Sequence, residues 1–86
     1  MARGAYLPVF TEKAAEFILG LPKRRQKQVV ALTRQLAARP QILSDYVLKD
    51  DSGRAIEHLL IEDYVFAYWV DHAVSEVRIV DIEDAS

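Results

Sequence analysis

Cysteine is absent from the 86 residues, which excludes a disulfide scaffold, a thiol nucleophile and a thiolate metal site. Glycine and proline number only three each, too few for a low-complexity chain. No apolar stretch near the sheet-forming end is longer than Tyr64 to Val70, far below the ~20 residues of a membrane span. Met1 to Phe10 also lacks the apolar region of a secretory signal. A soluble cytoplasmic protein with no membrane partner is expected. Ser44, Ser52, Ser75 and Ser86 stand in no Gly-x-Ser-x-Gly setting, and no glycine-rich phosphate loop is present, which removes the usual serine-hydrolase and nucleotide-binding signatures. Thirteen residues separate His58 from His72, with no third ligand in a local motif, so neither a metal nor a cofactor is expected.

What is present is 51% hydrophobic and 28% charged residues, enough for one domain spanning residues 1–86 and too little chain for a second. The charge is unevenly distributed. Lys23, Arg24, Arg25, Lys27, Arg34 and Arg39 crowd together, and no acid lies between Glu16 and Asp45. From Asp45 onward eleven acids face only Lys49, Arg54 and Arg78. A basic middle and an acidic C-terminal half suit two partners of opposite charge, and Arg24, Arg25 and Lys27 are the candidate nucleic-acid contacts; a basic run on a helix is also compatible with a plain solvated face.

Ala5 to Phe10 reads as a short strand interrupted by Pro8, tolerable at a sheet edge. Thr11 caps a helix in which Ala14, Phe17, Ile18 and Leu21 fall at the spacing of one buried stripe. Gly20 and Pro22 break it, and a second helix from about Pro22 buries Val29, Leu32 and Leu36, with Val30 and Ala37 beside them, until Pro40. Beyond Pro40 the period becomes extended. Tyr46 to Leu48, Ala55 to Ile61, Tyr64 to Val70 and Val77 to Ile82 are four strands joined by short polar turns. The expected class is α+β: an N-terminal strand and an αα-hairpin packed on one face of an antiparallel β-meander. Asp50, Asp51 and Asp63 read as turn formers rather than as a catalytic carboxylate set.

The order of elements, with Phe10-Thr11 opening an Ala-rich helix, Leu21-Pro22 at the hairpin corner, Arg39-Pro40 closing a basic helix, Leu48-Lys49 before a turn, Gly53-Arg54 after it and Asp63-Tyr64 leading to Tyr68, resembles the RelE/ParE superfamily of small bacterial toxins from type II toxin-antitoxin operons. The resemblance spans nearly the whole chain. It implies a RelE-like fold, a cognate antitoxin as partner, and action either on ribosome-bound mRNA or on gyrase. The alternative is a non-catalytic interaction module that keeps the fold without the RNA-cleaving site.

In the members that cut mRNA, cations anchor the phosphate while other groups move protons at the ribose 2′-hydroxyl, because a crowded phosphorus centre needs its charge offset and the leaving oxygen needs a proton. The positions that the resemblance assigns to this work are Lys49, Arg54 and Arg78 as cations, with His58, Tyr64 or Tyr68 as proton carriers. Two departures stand against it. Val65 occupies a place where such toxins commonly carry arginine, and Ile82-Glu83-Asp84 replaces a basic tail, so that carboxylates stand where phosphate would bind. Weak or absent mRNA cleavage is expected.

Val65, Ala67 and Trp69 alternate with Tyr64, Phe66 and Tyr68 along one strand, so both faces of that strand are apolar. The Val65, Ala67, Trp69 face is therefore a candidate partner-binding surface for an antitoxin or a second copy of the chain. Trp69 as ordinary core of the monomer is the equal alternative.

Overall fold

The computed structural model describes residues 6–86, so Ala5, expected at the head of the first strand, lies outside the described residues. The first strand, β1, is Leu7–Phe10; the helices α1, Glu12–Leu19, and α2, Lys23–Ala38, follow. The remaining strands are β2 (Tyr46–Lys49), β3 (Ala55–Ile61), β4 (Tyr64–Asp71) and β5 (Glu76–Asp84).

Thr11 starts α1 as expected: its hydroxyl oxygen accepts the Ala14 N–H at 3.2 Å and its O–H donates to the Val80 carbonyl at 2.9 Å, which fastens the helix to β5. Gly20 ends the helix by donating its N–H to Glu16 O at 3.1 Å. Pro22 then opens α2, and the Gln26 side chain donates to Leu21 O at 2.9 Å across the corner. Both helices bury one side. Ala14 and Ile18 from α1, and Val29, Leu32, Leu36 and Ala37 from α2, are buried. Thr33, absent from the apolar stripe read in the sequence, is fully buried too. Its hydroxyl donates to Val30 O at 2.7 Å, which satisfies it inside the helix.

The sheet has the order β1-β5-β4-β3-β2. Strands β2 to β5 form the expected antiparallel meander, and β1 adds to it in parallel along β5, from Leu7 opposite Glu76 to Phe10 opposite Ile79. The sheet is therefore mixed, because the helical hairpin carries the chain back to start β2 at the far edge. Both helices lie on one face, as expected.

Strand β5 contains a correction that alternation alone misses. Val77, Ile79 and Ile82 are all buried, yet Ile79 and Ile82 differ by an odd number of residues and would point to opposite faces of a regular strand. An extra residue resolves this: Tyr68 pairs with Ile79 while Ala67 pairs with Asp81, and Val80 is the bulged residue between them. Without the bulge, either Ile82 or the pair Val77 and Ile79 would leave the core. β5 also runs to Asp84, so Glu83 and Asp84 belong to the last strand rather than to a tail beyond it.

Candidate functional site

The two sheet faces are assigned by one contact. Phe17 of α1 packs edge-on against Tyr64 with ring centroids 6.1 Å apart, so Tyr64, and by alternation Phe66 and Tyr68, face the helices. Val65, Ala67 and Trp69 face away. Cross-strand partners share a face, which adds His58 opposite Ala67, Leu60 opposite Val65, Arg78 opposite Trp69, Asp81 opposite Ala67 and Glu83 opposite Val65 to the open side.

The turn after β2 fixes Arg54. Asp50 Oδ1 accepts the Ser52 N–H and the Arg54 N–H, each at 2.9 Å, and the Ser52 hydroxyl at 2.7 Å. Those bonds hold the Asp50 carboxyl below the usual carboxylate range, the Ser52 hydroxyl bond first. Gly53 takes φ +85°, a conformation that costs little only without a Cβ. Asp50 is thus the turn former that the sequence suggested. The turn delivers the Arg54 guanidinium onto the Trp69 ring, 3.7 Å from its centroid, with the Arg78 guanidinium 5.6 Å from the same ring.

The two arginines differ in charge balance. Arg78 Nη2 lies 2.9 Å from Glu76 Oε1 and its Nε 3.7 Å from Asp71 Oδ2, whereas Arg54 makes no ion pair among the described residues. Arg54 is the cation free to meet an anion. A shallow hollow of about 250 Å³ on the open face is lined by His58 and Asp81, with Lys49 at its rim; the register of Lys49 with Ala55 puts the lysine side chain on the same face as Glu57 and Tyr68, so it does not join the Arg54–His58 group. The His58 ring stacks on Tyr46 at 4.6 Å and 10°. Its Nδ1 lies 3.1 Å from Ile56 O, and since a carbonyl only accepts, Nδ1 carries the proton and Nε2 of the neutral ring keeps its lone pair. A proton acceptor and a free guanidinium therefore share one face.

Tyr68 does not join them. Its side chain faces the helices, 1% exposed, and its hydroxyl is buried without a hydrogen-bond partner among the described residues. Burial first, then the Glu57 and Asp45 charges, pushes the phenol up to about 12. The folded state thus holds the Tyr68 proton more tightly than the unfolded chain, whose tyrosine titrates near the ordinary value of about 10. Its contribution is complete below pH 10 and is lost as pH rises towards 12. Tyr68→Phe is expected to flatten that alkaline decline in a denaturant titration series. At neutral pH it should leave stability equal or higher by about 1 kcal/mol, because no hydrogen bond is lost with the hydroxyl.

The basic patch on α2 is separate from this face. Arg24 and Lys27 are exposed, but Arg25 lies 5.3 Å over the Tyr64 ring and 3.7 Å from Asp84. Those contacts are on the helix side of the sheet at the start of β4, whereas Trp69 is five residues along it, roughly 17 Å away. Arg24, Arg25 and Lys27 therefore do not extend the Arg54–Trp69–Arg78 cluster. Asp84 belongs with Arg25, and Ser86 rather than Arg25 is the main reason its carboxyl sits below the usual range. Glu83 alone of that pair stands on the open face. Of the candidate partner residues, Ala67 is buried and Val65 and Trp69 are half-buried, Trp69 beneath Arg54. The stacking of Arg54 on Trp69 depends on the β3–β4 register, and the neutralisation of Arg78 by Asp71 and Glu76 on the β4–β5 register. The sequence signals for them were the acids flanking the last turn.

No protein-family model matches the sequence, and no curated protein matches it. Solved structures do. A chain of the toxin-antitoxin complex RelBE2 from Mycobacterium tuberculosis superposes with a TM-score of 0.79 at 21% identity, covering 99% of this chain and 98% of that one. A chain of the archaeal RelE-RelB complex from Pyrococcus horikoshii gives 0.69 at 14% identity, covering 95% and 97%. A chain of the intact E. coli RelBE complex gives 0.62 at 20% identity, covering 95% and 99%. The chain has the fold of these proteins over nearly its whole length.

Proposed function

We propose that the chain is the toxin component of a type II toxin-antitoxin pair, held inactive by a cognate antitoxin and acting on translation or on gyrase. The observation that carries this reading is the likeness of the whole fold to chains taken from complexes of that kind. In support, the face left open by the helices holds the free guanidinium of Arg54 and the Nε2 of His58, while Lys49 stands at its rim with its side chain in register with the other face. On a phosphodiester, Arg54 would offset charge at phosphorus and His58 would take the 2′-hydroxyl proton.

A second reading, a non-catalytic interaction module, is favoured by the same face. Arg78 is committed to Glu76 and Asp71, Tyr68 is turned away from the cations, and Asp81 and Glu83 add negative charge. Cleavage of ribosome-bound mRNA is accordingly expected to be weak. What activity there is should fall on replacing Arg54 or His58 with alanine, and Lys49→Ala should matter less.

An antitoxin segment lying over Val65, Ala67 and Trp69 would cover Arg54 and Arg78 together. Induced expression tests the reading: growth arrest, with bulk translation and DNA supercoiling followed in parallel, should appear and be relieved by the product of a small adjacent reading frame. Arrest with falling translation assigns the ribosome, and arrest with lost supercoiling assigns gyrase. Co-purification with that product in the absence of arrest supports the interaction module instead. Trp69→Asp is expected to leave circular dichroism unchanged, since the indole is only half-buried, while abolishing the co-purification. A variant that fails to fold would place Trp69 in the monomer core.

A further inference from the structure

The largest concentration of uncovered apolar side chains lies at one sheet edge. Every residue of β2 is exposed; Tyr46, Val47 and Leu48 stand at 49%, 48% and 56%, and Leu43 and Leu60 beside them are exposed as well. Among the described residues β2 is also a terminal strand with an unpaired ladder, since nothing follows it in the order β1-β5-β4-β3-β2. The opposite edge strand, β1, contains Pro8, which has no N–H to offer. Long apolar edges of this kind are places where a further strand pairs.

The register of the β2–β3 hairpin shows which groups are free. The Asp50 N–H donates to Arg54 O at 2.9 Å, and the Leu60 N–H, pointing towards β2 beyond its end, is met by the Asp45 carboxylate at 2.7 Å. In an antiparallel ladder bonded pairs alternate with non-bonded ones. With Tyr46 opposite His58 and Leu48 opposite Ile56, the even-numbered residues of β2 therefore turn their backbone groups to β3. Val47 and Lys49 turn theirs outward, while Asp45, just before the strand, departs from the alternation by donating its N–H to His58 O at 2.8 Å and so has only its carbonyl to offer a further strand.

We propose that β2 pairs antiparallel with β2 of a second copy of this chain about a two-fold axis through Val47, joining two five-stranded sheets edge to edge. In that register each Val47 N–H donates to the other copy's Val47 carbonyl, and each Lys49 N–H donates to the other copy's Asp45 carbonyl. The outward-facing residues are thus the ones that meet. Tyr46 stands across from Leu48, apolar against apolar. The Lys49 ammonium falls across from the second copy's Asp45, whose Oδ2 stays on the Leu60 N–H and whose Oδ1 is left for the ammonium, and symmetry makes that pair twice. A two-fold through Lys49 would instead set Lys49 against itself and Val47 against Asp51, and opposed like charges destabilise a strand pair. Charge therefore selects the Val47-centred register. The inference does not rest on the toxin reading, because it uses only the edge and its hydrogen-bonding pattern.

The absence of native cysteine makes the test direct. Residues opposite each other in a bonded antiparallel pair have Cα atoms about 5.5 Å apart, within disulfide reach. Val47→Cys should therefore cross-link to itself under mild oxidation. Leu48→Cys is the control, because its own counterpart lies on the diagonal, roughly 7–8 Å away, beyond easy bridging. Sedimentation equilibrium of the purified chain should show a reversible dimer. Val47→Pro, which removes an N–H not used within the chain, should weaken dimerisation by roughly thirtyfold through the two cross-strand hydrogen bonds it deletes. A chain that stays monomeric at millimolar concentration would leave the edge to a strand of another protein and overturn the proposal. Equal cross-linking by Val47→Cys and Leu48→Cys would overturn it too, as would a dimer undiminished in folded Val47→Pro, which would place the contact elsewhere.

Discussion

Phe66→Ala is expected to leave little folded protein at 37 °C. Phe66 is 0% exposed at the centre of β4, its ring 6.4 Å from that of Tyr64, with Leu59 opposite on β3 and Ile82 opposite on β5. Truncating a buried phenylalanine costs about 3–5 kcal/mol, the transfer of the ring plus the cavity left behind. Against a stability of roughly 4–13 kcal/mol for a chain of this length, that is between a quarter and all of what holds the molecule together. The neighbours cannot close the gap easily, because Tyr64 and Tyr68 flank Phe66 on the same strand face and are themselves fully packed. Thermal unfolding by circular dichroism reads the effect as a large fall in Tm. An unchanged Tm would mean that this face of β4 is not the core. Val65→Ala, on the half-buried opposite face, should cost far less.

That contrast between the two faces of β4 marks how far the sequence could be read. The caps and breaks at Thr11, Gly20, Pro22 and Pro40, and the change from a helical to a two-residue period after Pro40, are local signals, and each element formed where they placed it. Non-local pairing was less legible. The parallel docking of β1 on β5 and the bulge at Val80 arise from contacts some seventy residues apart and within a ladder whose register no local pattern specifies. For the site, Arg54 and Arg78 were legible as the cations of the C-terminal half, but Tyr68 was not separable from them, because a strand with apolar residues on both faces gives no sign of which face the helices cover. One contact, Phe17 on Tyr64, decides it. Asp84 likewise reads as the neighbour of Glu83, although alternation sends it to the other face, beside Arg25.

Reversing the acidity of the open face should create nucleic-acid affinity there. Asp81 stands opposite Ala67 and Glu83 opposite Val65, on the same strand as Arg78 and on the face where Arg54 lies free. Asp81 accepts the Ile82 N–H at 2.9 Å beside the bulge and is ion-paired to Lys13 at 3.2 Å, so Asp81→Asn is the change that removes its charge while keeping an acceptor for the backbone. Glu83 is exposed and takes part in no ion pair among the described residues, and Glu83→Arg reverses its sign at little structural cost. Exchanging a repulsive contact with phosphate for an attractive one in water is worth about 2 kcal/mol, or roughly thirtyfold in affinity at low salt. One added phosphate contact should also steepen the dependence of log K on log salt by about 0.7 for a single strand. Asp84→Arg is the matched control. It makes the same charge change one residue along, but on the helix side of the sheet, and should alter neither affinity nor slope through the open face. Filter binding of a single-stranded RNA by the Asp81→Asn, Glu83→Arg variant and by an Asp81→Asn, Asp84→Arg variant of equal net charge, across a salt series, separates the two. If both behave alike, net charge alone governs binding and the open face is not the place where RNA lies; if only the variant carrying Glu83→Arg gains, the cations of that face form a phosphate track whose native acids keep it closed.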